Sequence, residues 1–221
     1  QGFWTTIFKI EPDHQNPDIL YAATDNGLFV TYDVNNNNPS FSKFVLPIPQ
    51  SFSLLYPQYN FNYYNNNNYA FVYDFEIHPT NTSVLYASVR YTGIDNNNNQ
   101  IKVWRIMLSI DGGATWGELP DHIISSLYNY LSTNINLTIE TTINSPNILY
   151  FIVGNRLYSF DYTSYDVILL RTNINSVFGA GHAFAVSESN LNKIITSHNI
   201  SAKVINLNGS DLIYNFGKFH P

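Results

Sequence analysis

The sequence contains no cysteine, so no disulfide can staple it and no thiolate can ligate a metal. It is also short of charge. Only 12% of its 221 residues are charged, and ten Lys and Arg stand against 16 Asp and Glu for a formal net charge of −6. Those cations are scattered singly or in pairs, whereas a nucleic-acid surface needs a basic patch to neutralise phosphates; nucleic acid is not an expected partner. No apolar run approaches the roughly 20 residues of a membrane helix, so no membrane span is expected. The six histidines show neither HxH nor HExxH spacing, and no metal or other cofactor is expected. The chain begins at Gln1 without a signal-peptide pattern, and it is read as part of a longer parent or as a product whose leader has been removed.

What the chain has in quantity is aromatic and amide side chains. Tyr (17) and Phe (15) dominate an aromatic content of 16%, and with so few charges Asn, Ser, Thr and Tyr must hydrate much of the exterior. An internal repeat organises them. EPDHQNPDILYAAT (11–24) is echoed by IHPTNTSVLYASV (77–89), more weakly by TINSPNILYFIV (142–153), and faintly by SESNLNKIITSH (187–198). Each copy is an apolar strand, a polar turn and a second apolar strand. Leu20, Leu85, Leu149 and Ile194 align at spacings of 65, 64 and 45 residues. The short spacing is that of a four-stranded propeller blade, roughly 40–50 residues, and the longer ones are the same unit with insertions. Three four-Asn runs, Asn35–Asn38, Asn65–Asn68 and Asn96–Asn99, read as loop tips, because Asn is poor in strands and tolerant of turns. Residues 121–134 place Ile124, Leu127 and Leu131 at helical spacing behind a capping Asp121, which predicts a short inserted helix.

Third strands follow at 27–33, 102–111 and 156–162, with fourth strands such as 42–48 and 166–171. FVYDFEIH (71–78) reads as a first strand, alternating Phe71, Tyr73, Phe75 and Ile77 against Val72, Asp74, Glu76 and His78. The expected fold is therefore all-β: a β-propeller, or part of one, of four-stranded antiparallel blades in at least four units, with one short inserted helix. The units run over roughly 3–50, 69–120, 136–172 and 182–219, with inserts at 51–68 and 121–135, in one domain spanning 1–221.

Residues 109–116 read SIDGGATW. An Asp carboxylate can accept the backbone amides of the turn that follows it, Gly supplies positive φ, and Trp is a large anchor for the core. Here the chain resembles the Asp-box, or BNR, repeat family, whose pattern Ser-x-Asp-x-Gly-x-Thr-Trp is met by Ser109, Asp111, Gly113, Thr115 and Trp116. The resemblance implies a propeller and a structural role for the motif at a rim away from the ligand end, so Asp111 is read as structural and not catalytic. Eroded copies stand at Thr31-Tyr-Asp33, Ser159-Phe-Asp161 and 207–214. The NPDILYAATDNGLF block is similar to the propellers of sortilin, photosystem-assembly factors and xyloglucanase-like glycoside hydrolases.

Glycoside hydrolysis needs two carboxylates facing across a cleft. The candidate catalytic residue is Asp25, whose setting resembles a catalytic Asp of the xyloglucanase-like enzymes; the competing reading is a plain hairpin turn, which Asp-Asn-Gly favours. Asp74 and Glu76, two apart on one face of an innermost strand, are candidates to line a central channel and there bind a cation or a sugar or act as an acid–base pair; the competing reading is a hydrated channel wall. The four arginines Arg90, Arg105, Arg156 and Arg171 do not obviously converge, which discounts a sialidase-type carboxylate site. Sequons at Asn81, Asn136, Asn199 and Asn208 are candidate glycosylation sites. Together these features describe a binding or assembly module exposed outside the cell or on its surface, with a protein or glycan as ligand. The alternatives are a fragment of a polysaccharide-degrading glycosidase and a self-assembling structural subunit of a surface layer or filament.

Overall fold

The computed structural model describes residues 5–62, 70–119, 137–153, 156–172, 174, 184–190, 193–198, 201–210 and 212–215. They form four four-stranded antiparallel meanders, the blade unit of a β-propeller, so the expected all-β propeller-type fold is what the structure has. The chain divides into two compact units, 1–134 and 135–221, each holding two blades.

In the first unit, the first blade is β1 (Ile7–Pro12), β2 (Leu20–Thr24), β3 (Gly27–Thr31) and β4 (Ser42–Lys43), and the second is β5 (Phe71–Ile77), β6 (Leu85–Ile94), β7 (Gln100–Ser109) and β8 (Gly117–Glu118). The repeated sequence is the first hairpin of each blade: Pro12 pairs with Leu20, and Ile77 with Leu85. Tyr21, Ala23, Leu28 and Val30 of one blade share a core with Phe75, Leu85, Ala87, Val89 and Met107 of the other. In the second unit, β9 (Thr138–Glu140), β10 (Ile148–Val153), β11 (Arg156–Asp161) and β12 (Asp166–Arg171) make the third blade, and β13 (Phe184–Val186), β14 (Lys193–His198), β15 (Ser201–Asn206) and β16 (Leu212–Asn215) the fourth. Its core joins Tyr150, Ile152 and Leu157 to Phe184, Val186, Ile194 and Ile205.

Three local features differ from the reading of the sequence. The fourth strand expected at 42–48 is only Ser42–Lys43, with one further amide bond from Phe44 to the Leu28 carbonyl; Pro47 and Pro49 lack the amide that would continue the ladder. A one-turn helix, α1 (Phe52–Leu55), lies in the first insert. It is held by Phe52 against Phe61 and Tyr91, and by Ser51, whose amide and hydroxyl donate to Glu118. The helix expected at 121–134 lies outside the described residues.

The third difference matters for the site. Strict alternation along β5 would set Phe71, Phe75 and Ile77 on one face, but the pairing with β6 slips between Val72 and Asp74. Tyr73 is the extra residue of a β-bulge. Beyond it the faces exchange, so Val72, Phe75 and Ile77 enter the core while Phe71 shares the opposite face with Asp74 and Glu76. Two of the Asn runs fall where expected. Asn35–Asn38 lie between β3 and β4, and Asn96–Asn99 lie in the β6–β7 hairpin, where Asn98 takes a φ of 63° that Asn tolerates. Asn65–Asn68 lie outside the described residues.

Candidate functional site

The register of β1 places Lys9 opposite Ala23 and Glu11 opposite Tyr21, on the side of the first blade that meets the second. From there the Lys9 ammonium enters a group of three carboxylates. It hydrogen-bonds Glu76 Oε1, lies 3.3 Å from Asp74 Oδ1, and lies 3.4 Å from Glu11 Oε2. The Glu11 contact is ionic but lacks hydrogen-bond geometry, so that buried oxygen has no hydrogen-bond partner among the described residues. Glu76 is the most enclosed, with a side chain 7% exposed against 30% for Lys9.

The electrostatics follow from this crowding. Burial alone would lower the pKa of Lys9, but the attraction of Glu76, Asp74 and Glu11 outweighs it and holds the ammonium above the ordinary lysine range. Burial pushes the Glu11 carboxyl up, and the charge of Lys9 only partly opposes it. Three carboxylates around one ammonium leave an excess of acceptors and of negative charge, which suits a second cation. Among the described residues no group of three or more His, Asp or Glu is placed to hold a metal ion.

Asp74 and Glu76, singled out from their spacing, are thus brought together, while Lys9 and Glu11 were missed. The only signal for the missed pair is their own two-residue spacing in the corresponding strand of the preceding blade. Asp25 is elsewhere. It occupies the β2–β3 turn half-buried, with its carboxylate accepting the Thr6 amide at 3.1 Å and its own amide donating to the Thr6 carbonyl. The Thr24 hydroxyl closes that turn onto the Gly27 carbonyl.

The SIDGGATW segment is the turn from β7 to β8. Asp111 accepts the Thr115 amide at 2.9 Å and the Thr115 and Ser109 hydroxyls at 2.6 and 2.8 Å. These bonds hold its carboxyl below the ordinary range. Ser109 Oγ also receives the Gly113 amide, and the Trp116 indole donates to the Gly113 carbonyl at 3.0 Å. Trp116 is buried, edge-on to Phe44. The first blade repeats the start of this turn: the Thr31 hydroxyl donates to Asp33, which accepts the Ser40 amide across a loop lengthened by the Asn run. In the third blade Asp161 accepts both the amide and the hydroxyl of Thr163.

Of the four arginines, Arg105 is buried against Glu118, Arg171 donates to the Asn206 carbonyl, and Arg90 lies on the ring of Phe71. Asn81 and Asn208 are exposed in turns, while Asn136 and Asn199 lie outside the described residues. A cavity of about 800 Å³ is lined by the 48–62 segment, including Phe52, Tyr56, Tyr59 and Asn60. It carries no charged residue and shares none with the carboxylate group.

No protein-family model matches the sequence, and a comparison with curated proteins finds no match. Solved structures do resemble it. A luciferin-regenerating enzyme aligns with 95% of this chain and 61% of its own length at a TM-score of 0.55 and 10% identity. A putative TolB from Agrobacterium tumefaciens aligns with 96% and 62% at 0.54 and 11%. An ancestral GH74 enzyme aligns with 95% and 32% at 0.39 and 11%. The chain spans about three fifths of the length of the first two. The likeness to those two is one of propeller-type fold.

Proposed function

We propose that this chain is a binding module, the propeller-type blades serving as a frame and the carboxylates of Glu11, Asp74 and Glu76 as the receptor for a basic group on a protein ligand. The observation that carries this reading is the sharing of one ammonium, Lys9, by three carboxylates on two neighbouring first strands. The exposed side chains of Ile7, Phe8 and Ile10 flank Lys9 along β1 and offer apolar contact to the stem of an incoming Lys or Arg.

A second reading, a neutral glycan, is favoured by the uncharged cavity of the 48–62 segment, where Tyr rings and the amides of Gln50, Asn60 and Asn62 combine stacking with hydrogen bonding. On either reading the Asp-box resemblance of Ser109–Trp116 is structural. The Asp25 carboxylate, engaged by the Thr6 amide, supports a turn rather than a glycosidase. The module is read as working outside the cell, where the exposed sequons at Asn81 and Asn208 are open to glycosylation.

Calorimetric titration with a tetra-arginine peptide tests the first reading. Binding that weakens about tenfold or more in Asp74→Asn/Glu76→Gln, and weakens with added salt, supports it. An affinity unchanged by the double substitution refutes it. Cellotetraose in place of the peptide tests the second: heat that survives Asp74→Asn/Glu76→Gln and is lost in Tyr59→Ala assigns the ligand to the cavity.

A further inference from the structure

The bulge at Tyr73 aligns Phe71, Arg90 and Trp104 across three strands, Phe71 opposite Arg90 and Arg90 opposite Trp104. The guanidinium carbon of Arg90 sits 3.7 Å from the Phe71 ring centroid and 5.8 Å from that of Trp104. Phe71 is in turn backed by Phe8 at 4.8 Å, and Trp104 stands edge-on to both Phe71 and Tyr73. Stacking of this kind fixes the plane of a guanidinium and leaves its fork of N–H donors in that plane.

Arg90 Nε is buried and without a hydrogen-bond partner among the described residues, and so is the indole Nε1 of Trp104, whose side chain is 2% exposed. Folding alone gives no reason for two buried donors on paired residues of neighbouring strands without an acceptor, because unmade buried hydrogen bonds are costly and rare. The carboxylates of the same sheet face do not supply one: Lys9, reaching across from the first blade, pairs with Asp74 and Glu76, and among the described residues Arg90 makes no ion pair. Half-burial, which lowers the pKa of Arg90 without discharging it, strengthens any charge-assisted bond the guanidinium makes.

We propose that Arg90, held on Phe71 and adjoined by the Trp104 indole, is a recognition site for a ligand carboxylate attached to a flat or ring-shaped body. The carboxylate takes the guanidinium fork as a bidentate acceptor, and the aromatic surface of Phe8, Phe71 and Tyr73 receives the body behind it. The site is independent of the carboxylate receptor for a basic group: its ligand has the opposite charge and its residues are different.

The test uses the intact chain, labelled with nitrogen-15. Its sequence has four arginines and three tryptophans, so the Arg90 Nε–H and Trp104 Nε1–H resonances are assignable by single substitutions. Benzoate and glucuronate are the two probes, distinguishing an aromatic acid from a sugar acid, and benzamide is the neutral control. Saturable shifts of both resonances with either acid and none with benzamide are expected. A loss of affinity of about tenfold or more is expected in Arg90→Gln, and also in Arg90→Lys, which keeps the charge but not the fork. The proposal is overturned if neither acid moves the two resonances, if benzamide moves them equally, or if Arg90→Gln binds unchanged. The wild-type titration decides even if a variant fails to fold, and its outcome is separate from that of the arginine peptide.

Discussion

Replacing Trp116 with Ala tests how the β7–β8 turn is anchored, and its cost can be worked from the surroundings. The indole is 8% exposed, contributes to the core shared by the first two blades, meets Phe44 edge-on at 5.9 Å, and donates to the Gly113 carbonyl at 3.0 Å. Truncating a buried Trp costs about 3–5 kcal/mol. Phe44 is only partly buried and can lean into the space left, which favours the lower end. With a urea dependence of about 2 kcal/mol per molar, a loss of about 3 kcal/mol lowers the midpoint by about 1.5 M. Trp116→Phe keeps most of the apolar area and removes only the indole donor, so about 1 kcal/mol, or about 0.5 M, is expected. Tryptophan fluorescence is the right assay, because Trp104 and Trp116 both fall within residues 1–134 and are buried there. Trp116→Ala retains the buried Trp104 as reporter. A midpoint lowered by less than about 0.3 M at unchanged slope would refute the placement of the indole in the core.

Two further substitutions separate backbone from packing in the same turn. Gly112 has φ +69° with open space where a Cβ would lie, whereas Gly113 has φ +90° and its Cβ would overlap the Phe44 ring. Gly112→Ala should therefore cost only the left-handed backbone, about 1–2 kcal/mol, and Gly113→Ala about 1–3 kcal/mol more; equal urea midpoints would refute the contact with Phe44. Acid should weaken the fold through Asp33, Asp95, Asp111 and Asp161, all held below the ordinary carboxylate value of 3.8 by hydrogen bonds to their own turns. Their contribution is complete above that value and is lost as pH falls through the lower folded-state values. The raised Glu11 acts in the opposite sense but is one group against four. The urea midpoint should thus fall between about pH 4 and about pH 2.5, and a rise over that interval would contradict the turn geometry.

The blade repeat was legible because the first hairpin of each blade is short-range: Pro12 meets Leu20 and Ile77 meets Leu85 across a single turn, and that local pattern survives in the sequence. The third strands and β12 followed from the same periodicity. What escaped is long-range or hinges on one residue. The Lys9–Glu76 contact and the Ser51–Glu118 bonds each join residues 67 apart in the chain, and no local pattern announces them. The bulge at Tyr73 has no marker such as Gly, so alternation assigned Phe71 to the wrong face. The same limit hid Arg90. Counted among four scattered arginines it looks ordinary, and only its opposition to Phe71 and Trp104 reveals a stacked cation.

That bulge also explains how opposite charges on one sheet face stay apart. Without it, Phe71 would stand on the core face beside Val89 and Tyr91, and the guanidinium of Arg90 would lose the ring it lies closest to. With it, the aromatic row holds Arg90, and the carboxylates of Asp74 and Glu76 draw their countercharge from Lys9 in the neighbouring blade. A fold selected only for stability would be expected to give the buried Trp104 indole an acceptor. Keeping a carboxylate-rich group and a guanidinium whose Nε has no acceptor among the described residues on the same sheet face is costly for the fold. The combination is the ground for proposing β5 and its partners, and not the tightly bonded Asp111 turn, as the part of this chain that meets a ligand.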